Sequence, residues 1–178
     1  VVIFGYFSLE EMKKRNKIKL ANQFNLIIIN FQTQEKQKTA SELANLVKEN
    51  DATYSPLALY FLIDNNLIEN KDEVNSLFDE LTSKTKLDKE IKNLIIYKKA
   101  LYNSNFASEN DLLQILNPII NSESIWKSHA LYLIAEYFYS KNEKKKAKEF
   151  FNQILILKNS NNDIKIQSQK RINRDLGE

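Results

Sequence analysis

Between Trp126 and Leu157 the chain sets large, small and aromatic residues at intervals that suit a pair of closely crossed helices. Leu131, Ile134, Ala135 and Phe138 read large-x2-large-small-x2-aromatic, and Ala147, Phe151 and Ile154 follow as Ala-x3-Phe-x2-large. Antiparallel helices approach closely only where a small side chain sits at the crossing, which predicts Ala135 facing Ala147 with bulkier residues on either side. The polar break Ser140-Lys141-Asn142-Glu143 separates the two halves. Asn142 there tolerates the left-handed backbone that a tight turn between helices requires.

The arrangement recurs 35 residues upstream, where Ile96, Tyr97, Ala100, Tyr102, Leu112, Leu116 and Ile119 match Leu131, Tyr132, Ala135, Tyr137, Ala147, Phe151 and Ile154. The upstream copy is degenerate: Lys99 replaces Ile134, Asn103 replaces Phe138, and Leu112 stands where the downstream copy has an alanine. A helix-turn-helix unit of about 34 residues produces such a period, and the spacing resembles the tetratricopeptide repeat. The expected fold is therefore all-α: a TPR-like, right-handed solenoid of antiparallel helix hairpins with a C-terminal capping helix. In numbers, hairpins are expected over about 10–50, 55–82, 87–121 and 124–158 and a cap over 162–176, within a helical domain of residues 9–178.

Composition agrees with that class and removes others. Only two glycines and two prolines occur among 178 residues, too few for strand turns or phosphate-cradling loops, so Rossmann and P-loop readings fail. Twenty-six basic residues oppose 23 acidic ones, and only Arg15, Arg171 and Arg174 are arginines, which argues against nucleic acid as a partner. No cysteine is present, so disulfides and thiolate chemistry are excluded, while either a cytoplasmic or an oxidising envelope compartment remains compatible. His129 is the only histidine and has no second imidazole to share a metal. With no HExxH, EF-hand or Gly-rich signature, neither a catalytic residue, a metal nor a cofactor is expected, and the chain reads as a non-enzyme.

In chain order, Val1-Val2-Ile3-Phe4-Gly5-Tyr6-Phe7 is an apolar run, and residues 1–8 are expected to be the C-terminal end of a membrane anchor. Packing on the first helix is the alternative. Ile18, Leu20, Phe24, Ile27, Ile28 and Phe31 suggest one apolar helix face. The run Lys13-Lys14-Arg15-Asn16-Lys17 lies outside it, as a solvated face or, beside a membrane, as a contact for anionic lipid. Capping boxes are expected at Thr39–Glu42 and Ser108–Asp111, and Ser55-Pro56 reads as an N-cap with proline in the first helical position. Asn161 or Asn162 caps the last helix, and Pro118 is expected to end or kink its helix near Leu116.

In a repeat of this kind the first helix of each hairpin lines an inner groove. Its exposed edge is expected to carry His129, Tyr132, Glu136 and Tyr139 in one repeat and Tyr97 and Leu101 in the one before. Tyrosines at matching places would form a ladder for an extended or helical peptide; alternatively Tyr97 and Tyr132 pack between neighbouring helices. Ala100, Leu116, Leu131, Ala135, Phe138, Ala147 and Phe151 are expected to be repeat-packing residues.

Val1 to Phe7 as an anchor end, Tyr54-Ser55-Pro56-Leu57-Ala58-Leu59 opening a hairpin, Ile96 to Tyr102, and Trp126 through Ala147 and Phe151 together resemble the ancillary SecYEG translocon subunit family. That family shares its tetratricopeptide-like domain with the cell division coordinator CpoB-like group. The resemblance implies a single-pass protein of the bacterial inner membrane, its helical domain facing the periplasm, that links the translocon to periplasmic chaperones. A soluble scaffold of another envelope or division assembly is the alternative.

Overall fold

The computed structural model describes the backbone of residues 2–177 and the side chains of residues 10–177. The described residues form nine α-helices and no strand. They divide into two compact units, Val1–Leu87 and Asp88–Glu178. The expected anchor end at residues 1–8 lies outside the described side chains. Among the described residues no helix is long and apolar enough to cross a membrane, so the single-pass anchor expected above has no counterpart there.

Unit 1 contains α1 (Val2–Asn30), α2 (Lys36–Lys48), α3 (Tyr54–Asp64) and α4 (Lys71–Lys84). Leu20 and Ile27 of α1 are buried, Phe24 tilts against Tyr54 at 6.1 Å, and Phe31 meets Phe61 edge-on at 5.1 Å. Ile18, placed on the same stripe from sequence, is 53% exposed. It stands two residues from Leu20, which turns it about 200° to the opposite side of the helix.

Two helix starts in unit 1 differ from the sequence expectation. Thr39 does not cap α2: the helix begins at Lys36 after Glu35, Thr39 is buried within it, and Glu42 reaches back instead to Gln34, whose Nε2 donates to Oε2 at 2.9 Å. Ser55 does not cap α3 either. Asp51 takes that role, its carboxylate accepting from Thr53 N and Tyr54 N at 2.8 Å each. The Ser55 hydroxyl is left to donate to Leu46 O and accept from Asp51 N, tying α3 to the end of α2. Pro56 consequently occupies the third position of α3, still inside the first turn, where its missing N–H has no intrahelical partner to lose.

Unit 2 contains α5 (Lys89–Asn103), α6 (Glu109–Ile120), α7 (Lys127–Ser140), α8 (Lys144–Ile156) and α9 (Asn162–Asp175). Asp88, Ser108 and Asn161 cap α5, α6 and α9 through their side-chain oxygens. Asn142 adopts φ 61°, and Glu143 N donates to Phe138 O at 2.9 Å, the six-to-one bond that closes a helix on a left-handed residue. Pro118 does not end α6, which continues to Ile120. Only its last turn follows the proline, so a single intrahelical bond is forgone, and Asn121 N still reaches Asn117 O at 3.1 Å.

The core of unit 2 places Ala100, Ala130, Ala135 and Ala147 among Leu112, Leu116, Ile119, Leu131, Ile134, Phe138, Phe151 and Ile154, all essentially without solvent contact. Every expected packing residue is in that set. Polar ties between successive hairpins keep one interval: Glu90 accepts from Ser124 Oγ (2.8 Å) and Ile125 N (3.2 Å), Ser128 Oγ from Asn161 N (3.3 Å), and Glu109 from Lys146 Nζ (2.9 Å). Each joins positions 33 to 37 apart, as does Arg171 to Glu136. In unit 1, Thr85 Oγ1 donates to Asn50 Oδ1 at 3.0 Å across 35 positions.

Candidate docking surface

The residues singled out for an inner groove lie on α5 and α7 of unit 2, in two differently built parts. At the first turn of α7, Trp126 and His129 meet Tyr97 of α5. Tyr97 stacks on Trp126 at 5.9 Å with the rings 19° apart, and His129 sits edge-on to Tyr97 at 5.9 Å and tilted against Trp126 at 5.2 Å. Trp126 is brought there by the loop before α7, where Ser124 and Ile125 both hydrogen-bond Glu90 of α5 and Trp126 N donates to Ser124 Oγ at 3.1 Å. The His129 Nδ1 is buried without a hydrogen-bond partner, and burial holds the imidazole pKa below its ordinary value. Burial likewise raises the Tyr97 phenol above its usual range.

Apolar surface borders this cluster. Leu101, one turn beyond Tyr97, is 49% exposed, and Ile91 and Ile125 are exposed as well. A cleft of about 430 Å³ opens beside Ile125, lined also by Ser124, Lys127, Leu157 and Asn161.

The second part is occupied from within. Glu136 receives both Nε (2.7 Å) and Nη2 (2.8 Å) of Arg171 on α9, and the same guanidinium lies 4.8 Å over the Tyr139 ring. Arg171 also donates to Asp175 at 2.8 Å. The Asp175 carboxyl is held well below the usual carboxylate range, chiefly by Arg174 and then by Arg171. Tyr132 packs edge-on against Phe151 at 5.5 Å, and its phenol is raised first by burial and then by the Glu136 charge. Tyr132, Glu136 and Tyr139 are half-buried, as are Tyr97 and His129, so of the expected edge only Leu101 stands exposed.

Sequence reasoning did not bring Trp126 to Tyr97, because that contact depends on the tertiary bond from Glu90 to the loop. Nor did it find Arg171, although the 35-residue offset from Glu136 would have pointed to it. Tyr137, which lies in the core and donates its hydroxyl to Ala107 O at 3.2 Å, was visible only as a repeat match. Among the described residues no group of three or more His, Asp or Glu is placed to hold a metal ion. Neither a protein-family model, nor a curated protein, nor a solved structure matches the chain significantly.

Proposed function

We propose that the chain is a non-enzymatic protein-interaction module, with unit 2 a TPR-like piece of right-handed solenoid and α9 its capping helix. The recurrence of ties one hairpin apart supports that architecture, since stacked repeats bond each unit mainly to its neighbour. The observation that carries the function is the Tyr97–Trp126–His129 cluster with Leu101 and Ile125 exposed beside it. Rigid aromatic area bordered by exposed aliphatic residues is what a partner peptide uses as an anchor.

By resemblance, the partner is the membrane translocon or a periplasmic chaperone, and the chain is tethered to the inner membrane with its helices in the periplasm. The tether and its topology rest on that resemblance alone. An untethered scaffold of an envelope or division assembly would use the same surface. Binding to purified, reconstituted translocon tests the reading. The double variant Tyr97→Ala, Leu101→Ala should weaken binding by about 2 kcal/mol or more while the protein stays folded. Unchanged affinity in a folded variant would remove this surface from the docking site.

A further inference from the structure

The first described turns of α1 differ from every other helix. From Glu10 to Lys19 each residue is exposed, so this stretch of helix has no side packed against the protein. It carries Lys13, Lys14, Arg15, Lys17 and Lys19 against Glu10 and Glu11, a net of +3, which equals the net charge of the whole chain. The remaining 21 basic and 21 acidic residues cancel, so the entire excess charge is concentrated on about 15 Å of helix. Within the stretch Arg15 Nε meets Glu11 Oε1 at 3.0 Å.

A second, apolar feature runs along the same helix. Met12, Ile18, Leu26 and Ile29 are 64%, 53%, 61% and 74% exposed. At 100° per residue they fall within about one third of the circumference, on the side away from the buried Leu20 and Ile27. Residues 20–34 contain no charge. A second copy of α1 pairing antiparallel along this stripe sets the cations against the uncharged residues 20–34, and parallel pairing sets +3 against +3.

We infer that the outer face of α1 is a docking surface for anionic lipid, with Met12 and Ile18 entering the headgroup boundary while Lys14, Arg15 and Lys19, on or beside that stripe, reach the lipid phosphates. A basic helix with an exposed aliphatic stripe suits an acidic membrane surface; nucleic acid would leave the stripe in water. The inference does not rest on the surface of unit 2, and it holds for a tethered or an untethered chain.

Cosedimentation of the 178-residue protein with phosphatidylcholine vesicles, and with an equimolar phosphatidylcholine–phosphatidylglycerol mixture, tests it. Binding is expected only to the anionic vesicles and should fall steeply with added salt. The triple variant Lys14→Gln, Arg15→Gln, Lys19→Gln should lower the partition coefficient about 100-fold. Met12→Ser with Ile18→Ser should lower it roughly tenfold and leave the salt dependence in place. All five side chains are exposed, so helicity and melting temperature are expected to stay put. Equal binding to neutral vesicles, no vesicle binding, or full binding by the triple variant overturns the inference. So does retention of a short DNA duplex without vesicle binding, or a dimer in light scattering that Ile18→Ser dissolves. Variants of α1 leave Tyr97 and Leu101 intact, so loss of vesicle binding and loss of translocon binding are separable.

Discussion

Hairpins α5–α6 and α7–α8 answer the same packing problem with different side chains. Ala100 and Ala135, Leu112 and Ala147, Leu116 and Phe151, and Ile119 and Ile154 are all fully buried pairs 35 residues apart. Elsewhere the copies part: Ile134 is buried where Lys99 is half-exposed, Glu136 pairs with Arg171 where Leu101 meets solvent, and Phe138 stacks on Phe150 at 5.5 Å where Asn103 donates to Lys99 O at 2.8 Å. Within its unit α7 packs against α5 on one side and α9 on the other, whereas α5 has only α7 among the first helices. Burial at the matched crossing positions is thus kept in both copies, while the positions beside them take different side chains and different partners.

The largest test of this contrast removes the side chain at the matched pair Phe138 and Asn103. Phe138→Ala should lose about 3–5 kcal/mol through the cavity it leaves. Asn103→Ala should lose about 1 kcal/mol, the worth of a hydrogen bond at a helix end. Denaturant titration reads both, and equal losses would mean that Asn103 is a core anchor in its own right.

Next come the crossings, where the copies should agree. Ala100→Leu and Ala135→Leu are each expected to cost about 1–3 kcal/mol by overpacking. If only Ala135→Leu shifts the denaturant midpoint, the upstream crossing is looser than its burial indicates.

A smaller effect separates Glu136 from Leu101. Glu136→Ala breaks a bidentate pair with Arg171 and should cost about 1 kcal/mol, less in high salt, while Leu101→Ala should stay within about 0.5 kcal/mol. A salt-independent loss at Glu136 would indicate packing in place of charge. Smallest is a pH effect confined to the downstream copy. Because burial depresses the His129 pKa, the unfolded chain takes up a proton as pH falls through the ordinary histidine range and the folded protein does so only lower down. Stability should therefore decline with falling pH between those two values and level off beneath the lower one. His129→Gln removes that slope; Leu94, the matched position, has no proton to bind. Melting temperatures across the range decide it, and an unchanged slope in His129→Gln would assign the dependence elsewhere.

How much of this was legible beforehand depended on the range of the interaction involved. Periodicity and local capping chemistry placed α4 to α9 closely, and Asn142, Ser108 and Asn161 behave as their side chains dictate. Ser55 misled because Asp51 took its role at the α3 amides, and Thr39 because α2 begins a turn earlier, at Lys36, which leaves Thr39 inside the helix and Glu42 bonded to Gln34. Pro118 misled because its position in the last turn makes it cheap. At the candidate site the tyrosine spacing was readable. The stacking of Tyr97 on Trp126 and the cover of Glu136 and Tyr139 by Arg171 were not, since both depend on bonds a full hairpin away.

Those bonds also carry a consequence in time. A growing chain emerges at about 5–20 residues per second, so an interval of 35 residues corresponds to about 2–7 seconds of synthesis. Helical hairpins form in microseconds to milliseconds. Each acceptor, Glu90 or Glu136, is therefore made and folded well before its donor leaves the ribosome, so the α7–α8 hairpin meets an α5–α6 hairpin that is already formed.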